Sequence, residues 1–66
     1  MENTIKVERA ILNLTQDDLA KKIGVSRQTI NSIEANRYVP STVLALKLSA
    51  LFGKPVNDFF KLTKDD

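Results

Sequence analysis

Apolar residues recur at helical spacing from near the start of this chain almost to its end. Ile5, Ala10, Ile11 and Leu12 are interleaved with Lys6, Glu8 and Arg9, which predicts an amphipathic first helix over residues 5–13. Leu19, Ala20 and Ile23 share one face of a second helix, with Thr15 in front as its N-cap and Asp18 completing a weak capping box. Gly24 ends that helix, because glycine takes a positive φ without a Cβ penalty. Ser26 caps a third helix whose inner side is Ile30 and Ile33, with Val25 just ahead of the cap. Asn36 to Pro40 has no periodicity and reads as a loop. Ser41 opens a fourth helix to about Phe52, with Leu44, Leu48 and Leu51 at helical spacing, and Gly53 stops it. Pro55 then starts a short fifth helix carrying Val56, Phe59 and Phe60. Beyond it, Phe60 and Leu62 alternate with Lys61 and Thr63, which leaves two readings for the tail, a short strand or a frayed end.

Size and composition narrow what such a helical chain can do. At 66 residues with 42% apolar content it reads as one compact domain, residues 1–66, rather than a disordered segment. There is no cysteine and no histidine, so disulfides, thiolate zinc sites and the commonest general base are all excluded. No catalytic constellation can be assembled from the carboxylates that remain, and neither a metal, a cofactor nor a small-molecule ligand is expected. No apolar run approaches the roughly 20 residues of a membrane span, and the opening MENTIKV lacks a secretion pattern, so the expected compartment is the cytoplasm. Net charge is only +2, from 10 basic and 8 acidic residues. Its distribution says more: between Val25 and Lys47 the only acid is Glu34, against Arg27, Arg37 and Lys47. That is either a modest phosphate-binding face or a set of scattered solvated charges.

The second and third helices decide between these. Two helices joined by a short turn with a glycine form a helix-turn-helix, whose tight crossing restricts many positions at once. Ala20 suits the point of closest approach, Gly24 the left-handed turn, and Leu19, Ile23, Val25, Ile30 and Ile33 the surface that must rest on the core. Seven positions thus satisfy one geometrical template, where a generic helical hairpin would satisfy only some of them.

On these residues the chain resembles the phage-repressor/Cro-type (XRE) family of helix-turn-helix regulators. The match is carried by IKVERAILNLTQDDLAKKIGVSRQTINSIEANRYVPS and continues through the leucine-rich fourth helix. The resemblance implies an all-α, five-helix, lambda-repressor-like DNA-binding domain, with the helix-turn-helix at about residues 16–35. Small stand-alone members suggest a short two-stranded sheet made by the termini. The third helix would enter the major groove, placing Arg27 and Gln28 at base edges. Arginine can donate twice to guanine, and glutamine pairs similarly with adenine. Asn31 and Ser32, one turn later, would reach bases or the adjacent backbone. Phosphate contacts fall to Gln16, Ser26, Thr29, Asn36, Arg37 and Tyr38, with packing against the fourth helix an equal alternative for Tyr38. Arg9 would pair with Glu34 and join the first helix to the third.

A single recognition helix covers too few base pairs for useful selectivity, which argues for a homodimer on double-stranded DNA. The region from about 54 to 62 is the expected dimerisation surface, with Val56 and Phe59 facing the partner and Val39, Pro40 and Pro55 nearby. Phe60 is expected to close the core against Leu51. The function expected is a transcriptional regulator, most simply a repressor on a palindromic operator. The alternative is an antitoxin-like module that captures a partner protein through the Val56/Phe59 surface and binds DNA to regulate itself.

Overall fold

The computed structural model describes residues 1–66. A short strand, β1 (Glu2–Asn3), leads into four helices: α1 (Ile5–Ile11), α2 (Gln16–Ile23), α3 (Arg27–Glu34) and α4 (Thr42–Phe52). A 3₁₀ turn (Val56–Asp58) and a second strand, β2 (Phe60–Lys61), complete the chain. The strands pair antiparallel, Glu2 opposite Lys61 and Asn3 opposite Phe60.

Local signals set most helix boundaries. The Thr15 side chain accepts a hydrogen bond from the Asp18 amide while the Asp18 carboxylate accepts from the Thr15 amide, both at 3.0 Å, so the capping box is complete. The hydrogen bond from the Thr15 backbone amide, followed by that from its side chain, holds the Asp18 carboxyl below its ordinary value of 3.8. Ser26 and Ser41 cap α3 and α4 through the amides of Thr29 and Leu44. Gly24 lies at φ +77° with no neighbouring atom within 4 Å of where a Cβ would stand, so backbone conformation and not crowding selects glycine there.

α1 stops earlier than its apolar pattern predicts. Asn13 takes φ 57°, and the Leu14 amide bonds the Arg9 carbonyl at 2.9 Å while that of Asn13 bonds Ala10, a Schellman ending. The buried face of α1 also differs from the expected one. Ile11 and Leu12 are exposed, and the inward positions are Ile5, Glu8 and Arg9, spaced three and four residues apart. Glu8 is buried because Lys54 covers it, Nζ to Oε1 at 2.8 Å.

The expected fifth helix is corrected to a three-residue 3₁₀ turn. Its bonds run from the Asp58 amide to the Pro55 carbonyl and from Phe59 to Val56. The Phe59 carbonyl then accepts from the Thr4 amide at 2.9 Å and the next residues join β1, so backbone groups that would continue a helix are taken by the sheet. The fold is therefore mainly helical with a small terminal sheet.

Eleven residues form the core: Ile5 from α1, Leu19, Ala20 and Ile23 from α2, Ile30 and Ile33 from α3, Leu44, Leu48 and Phe52 from α4, and Phe59 and Phe60. Phe59 stands edge-on to Phe52 with ring centroids 5.1 Å apart, and lies at the same distance from Phe60. Phe60 is part of the core, Leu51 packs partly buried against that core, and the aromatic contact of the helix end is Phe52 with Phe59.

Candidate nucleic-acid interface

α2 and α3 pack directly on one another, with Ala20 of α2 only 1% exposed and Gly24 turning the chain between them. With Ile30 and Ile33 held in the core, helical periodicity turns Arg27, Gln28 and Asn31 outward, and all three are exposed. Ser32 is half-buried at the edge of that face. The flanks of α3 are concave. Gln28, Ser32, Arg37 and Tyr38 line one groove with Ser26 and Thr29, and Arg27 and Gln16 line the other with Thr15 and Asp17. The structure thus brings nine of the ten residues expected at base edges or phosphates to the exposed side of α3 and its two flanks.

Asn36 is the tenth, exposed just past the end of α3 and engaged with β1 through its side-chain oxygen. At φ 61° it reverses the chain after α3, and its Oδ1 accepts from Asn3 Nδ2 at 2.9 Å. Asn3 also donates to the Ile33 carbonyl at 2.8 Å, so β1 braces the end of the third helix. Ser26 Oγ likewise serves its cap first, receiving the Thr29 amide and sharing a hydrogen with Thr29 Oγ1 at 2.9 Å. The α2 start carries Asp17, paired with Lys21 at 3.2 Å, beside the first-turn amides that have no partner within a helix.

The acid on α3 itself, Glu34, is neutralised by a partner. Arg9 grips Glu34 with two parallel bonds, Nε to Oε2 at 2.9 Å and NH2 to Oε1 at 3.1 Å. A third guanidinium hydrogen goes to the Leu14 carbonyl at 3.0 Å, and Gln16 Nε2 reaches Glu34 Oε1 at 3.3 Å. The side chains are 15% and 10% exposed, so the pair sits in a low-dielectric seam between α1, α2 and α3. Loss of Arg9 would leave a carboxylate with little water around it. We expect Arg9→Ala to cost about 3 kcal/mol of folding free energy, read by urea denaturation. A change below about 0.5 kcal/mol would place the pair among ordinary surface contacts.

Residues 5–59 match the protein-family model described as Helix-turn-helix. The chain belongs to the helix-turn-helix family. An uncharacterized HTH-type transcriptional regulator of Methanocaldococcus jannaschii is 52% identical over 66 residues, all of this chain and all of its own. The HTH-type transcriptional regulator YgzD of Bacillus subtilis is 39% identical, again over 100% of both chains. The ImmF control region 10 kDa protein of Bacillus phage phi105 is 36% identical over 53 residues, 80% of this chain and 59% of that protein.

Among the surface residues of this helix-turn-helix protein, the expected dimerisation set needs one correction. Phe59 is 0% exposed, locked between Phe52 and Phe60, so it belongs to the core and has no side-chain surface to offer a partner. Val39, Pro40 and Val56 do meet, in an apolar groove of about 310 Å³ that also includes Met1, Ala45 and Leu46. Pro55 is exposed. Ala45 and Leu46 were not signalled by the sequence pattern, because a helix as apolar on all sides as α4 does not reveal which side faces out, and Met1 lies outside every helix. Asn3 was equally silent, since it lies outside the helix-turn-helix and acts through the sheet.

Proposed function

We propose that this helix-turn-helix protein is a sequence-specific DNA-binding transcriptional regulator that acts as a repressor, binding a palindromic operator as a homodimer. The observation that carries the reading is the α3 face: Arg27, Gln28 and Asn31 exposed together, while the neighbouring Glu34 is neutralised by Arg9. Arg27 and Gln28 read base edges in the major groove, and Asn31 and Ser32 extend the contact one turn on. Gln16, Ser26, Thr29, Asn36, Arg37 and Tyr38 hold phosphates on either flank, which fixes register without reading sequence. Twofold pairing through Pro55 and Val56, in the region of residues 54–62, with Val39 and Pro40 in the groove beside Val56, sets the two α3 helices about 34 Å apart, one turn of B-DNA. The relative named for a phage control region supports a regulatory role. Repression by occupying a promoter requires nothing of the chain beyond tight operator binding.

Footprinting on the DNA upstream of its own gene, with sedimentation of the free protein, tests the reading. The expected result is a symmetric protected site, bound about a thousandfold more tightly than random DNA, by a species of twice the chain mass. Equal affinity for random DNA would overturn sequence-specific binding. A monomer that protects a single half-site would overturn the dimer.

A further inference from the structure

Asn31 and Arg37 are not independent contacts. The end of α3 is a full Schellman turn: the Arg37 amide bonds the Ser32 carbonyl at 2.9 Å, and the Asn36 amide bonds Ile33 at 3.0 Å. With Asn36 at φ 61° and anchored by Asn3, Arg37 leaves the turn from a braced backbone, not from a loose loop. Its side chain folds back along α3, and one terminal nitrogen donates to Asn31 Oδ1 at 3.2 Å. Arginine has only donors, so the amide of Asn31 can face it in one orientation alone, oxygen toward the guanidinium and nitrogen away.

That orientation has a consequence for reading DNA. An asparagine recognises adenine by accepting from N6 and donating to N7 at the same time, which needs the oxygen and nitrogen of the amide side by side at the base. In this chain a cationic donor already takes one of the oxygen's two lone pairs, and its charge opposes a second donor beside it. The group left wholly free for the groove is Nδ2 with its two hydrogens. Guanine is the base whose major-groove edge offers a donor two acceptors, N7 and O6.

We infer that Arg37 is a specificity-determining positioning residue: by holding Asn31 Oδ1 it makes Asn31 a guanine reader and disfavours adenine at that operator position. The inference rests on the proposed operator binding. It adds to the role of Arg37 as a phosphate contact, which alone would strengthen binding to every sequence alike.

Parallel selections from random DNA with the wild-type chain, Arg37→Ala, Arg37→Met and Asn31→Ala distinguish the two. Both Arg37 and Asn31 are exposed, and methionine keeps most of the arginine stem without its donors. The wild-type motif should contain a guanine that loses its enrichment in Asn31→Ala, which identifies the position read by Asn31. At that position both Arg37 variants should shift the guanine-to-adenine ratio about tenfold toward adenine, the rest of the motif staying as it was. Uniform weakening with an unchanged motif in both Arg37 variants would overturn the inference and leave operator binding standing. The same holds if Asn31→Ala erases selectivity for adenine in the wild-type motif. A wild-type selection that returns no motif would overturn the operator reading itself.

Discussion

Phe59→Ala should leave this chain largely unable to hold its fold. The ring is 0% exposed and contacts both Phe52 and Phe60, so its loss removes the transfer free energy of a large aromatic and leaves a cavity that the short sheet cannot collapse to fill. The cost for a buried phenylalanine is about 3–5 kcal/mol. A 66-residue core seldom supplies more than about 3–5 kcal/mol of net stability, so the two quantities are comparable. Thermal or urea unfolding followed by circular dichroism should show a transition shifted far toward mild conditions, or none. The opposite outcome is equally informative. A variant that keeps its helix content and loses only self-association would return Phe59 to the interface, where the sequence pattern alone would place it.

Arg27→Ala should abolish selective DNA binding while leaving the fold intact. Arg27 is exposed at the first position of α3, makes no intramolecular ion pair, and stands outside the Ser26–Thr29 cap. A bidentate arginine–guanine contact is worth about 1–3 kcal/mol of discrimination, and a homodimer makes it twice. The expected loss is therefore about 2–6 kcal/mol on the specific site, roughly 30-fold to more than 10⁴-fold in affinity. Binding to random DNA should fall far less, since it depends on phosphate charge. Fluorescence anisotropy on a specific and a scrambled duplex, at matched salt, measures both. An equal fall on the two would recast Arg27 as a phosphate contact.

Sequence and tertiary structure contributed to this picture in different ways. Thr15, Ser26, Ser41, Gly24 and Gly53 each act through their own turn of backbone, so the boundaries they mark were legible residue by residue. The Arg9–Glu34 pair was legible for another reason: the resemblance of the whole segment placed both residues, and the structure shows them joined. The burial of Glu8 on the inner face of α1 was not legible, because it depends on Lys54, which lies 46 residues away. Nor was the Arg37–Asn31 bond, which depends on the direction a side chain takes after a left-handed turn at Asn36.

The chain's sequence by itself determined the four helices, their caps, the helix-turn-helix and the polar outward face of α3, all set by short-range periodicity and turn chemistry. Only the tertiary structure decided the fate of the last residues and the apolar surface. Pairing of Glu2–Asn3 with Phe60–Lys61 turned an expected fifth helix into a 3₁₀ turn and a strand. The same pairing carried Phe59 inward and left Val56, with Val39, Pro40 and Leu46, at the surface groove. Contacts between the two ends of a chain depend on how everything between them packs, and no local pattern encodes that.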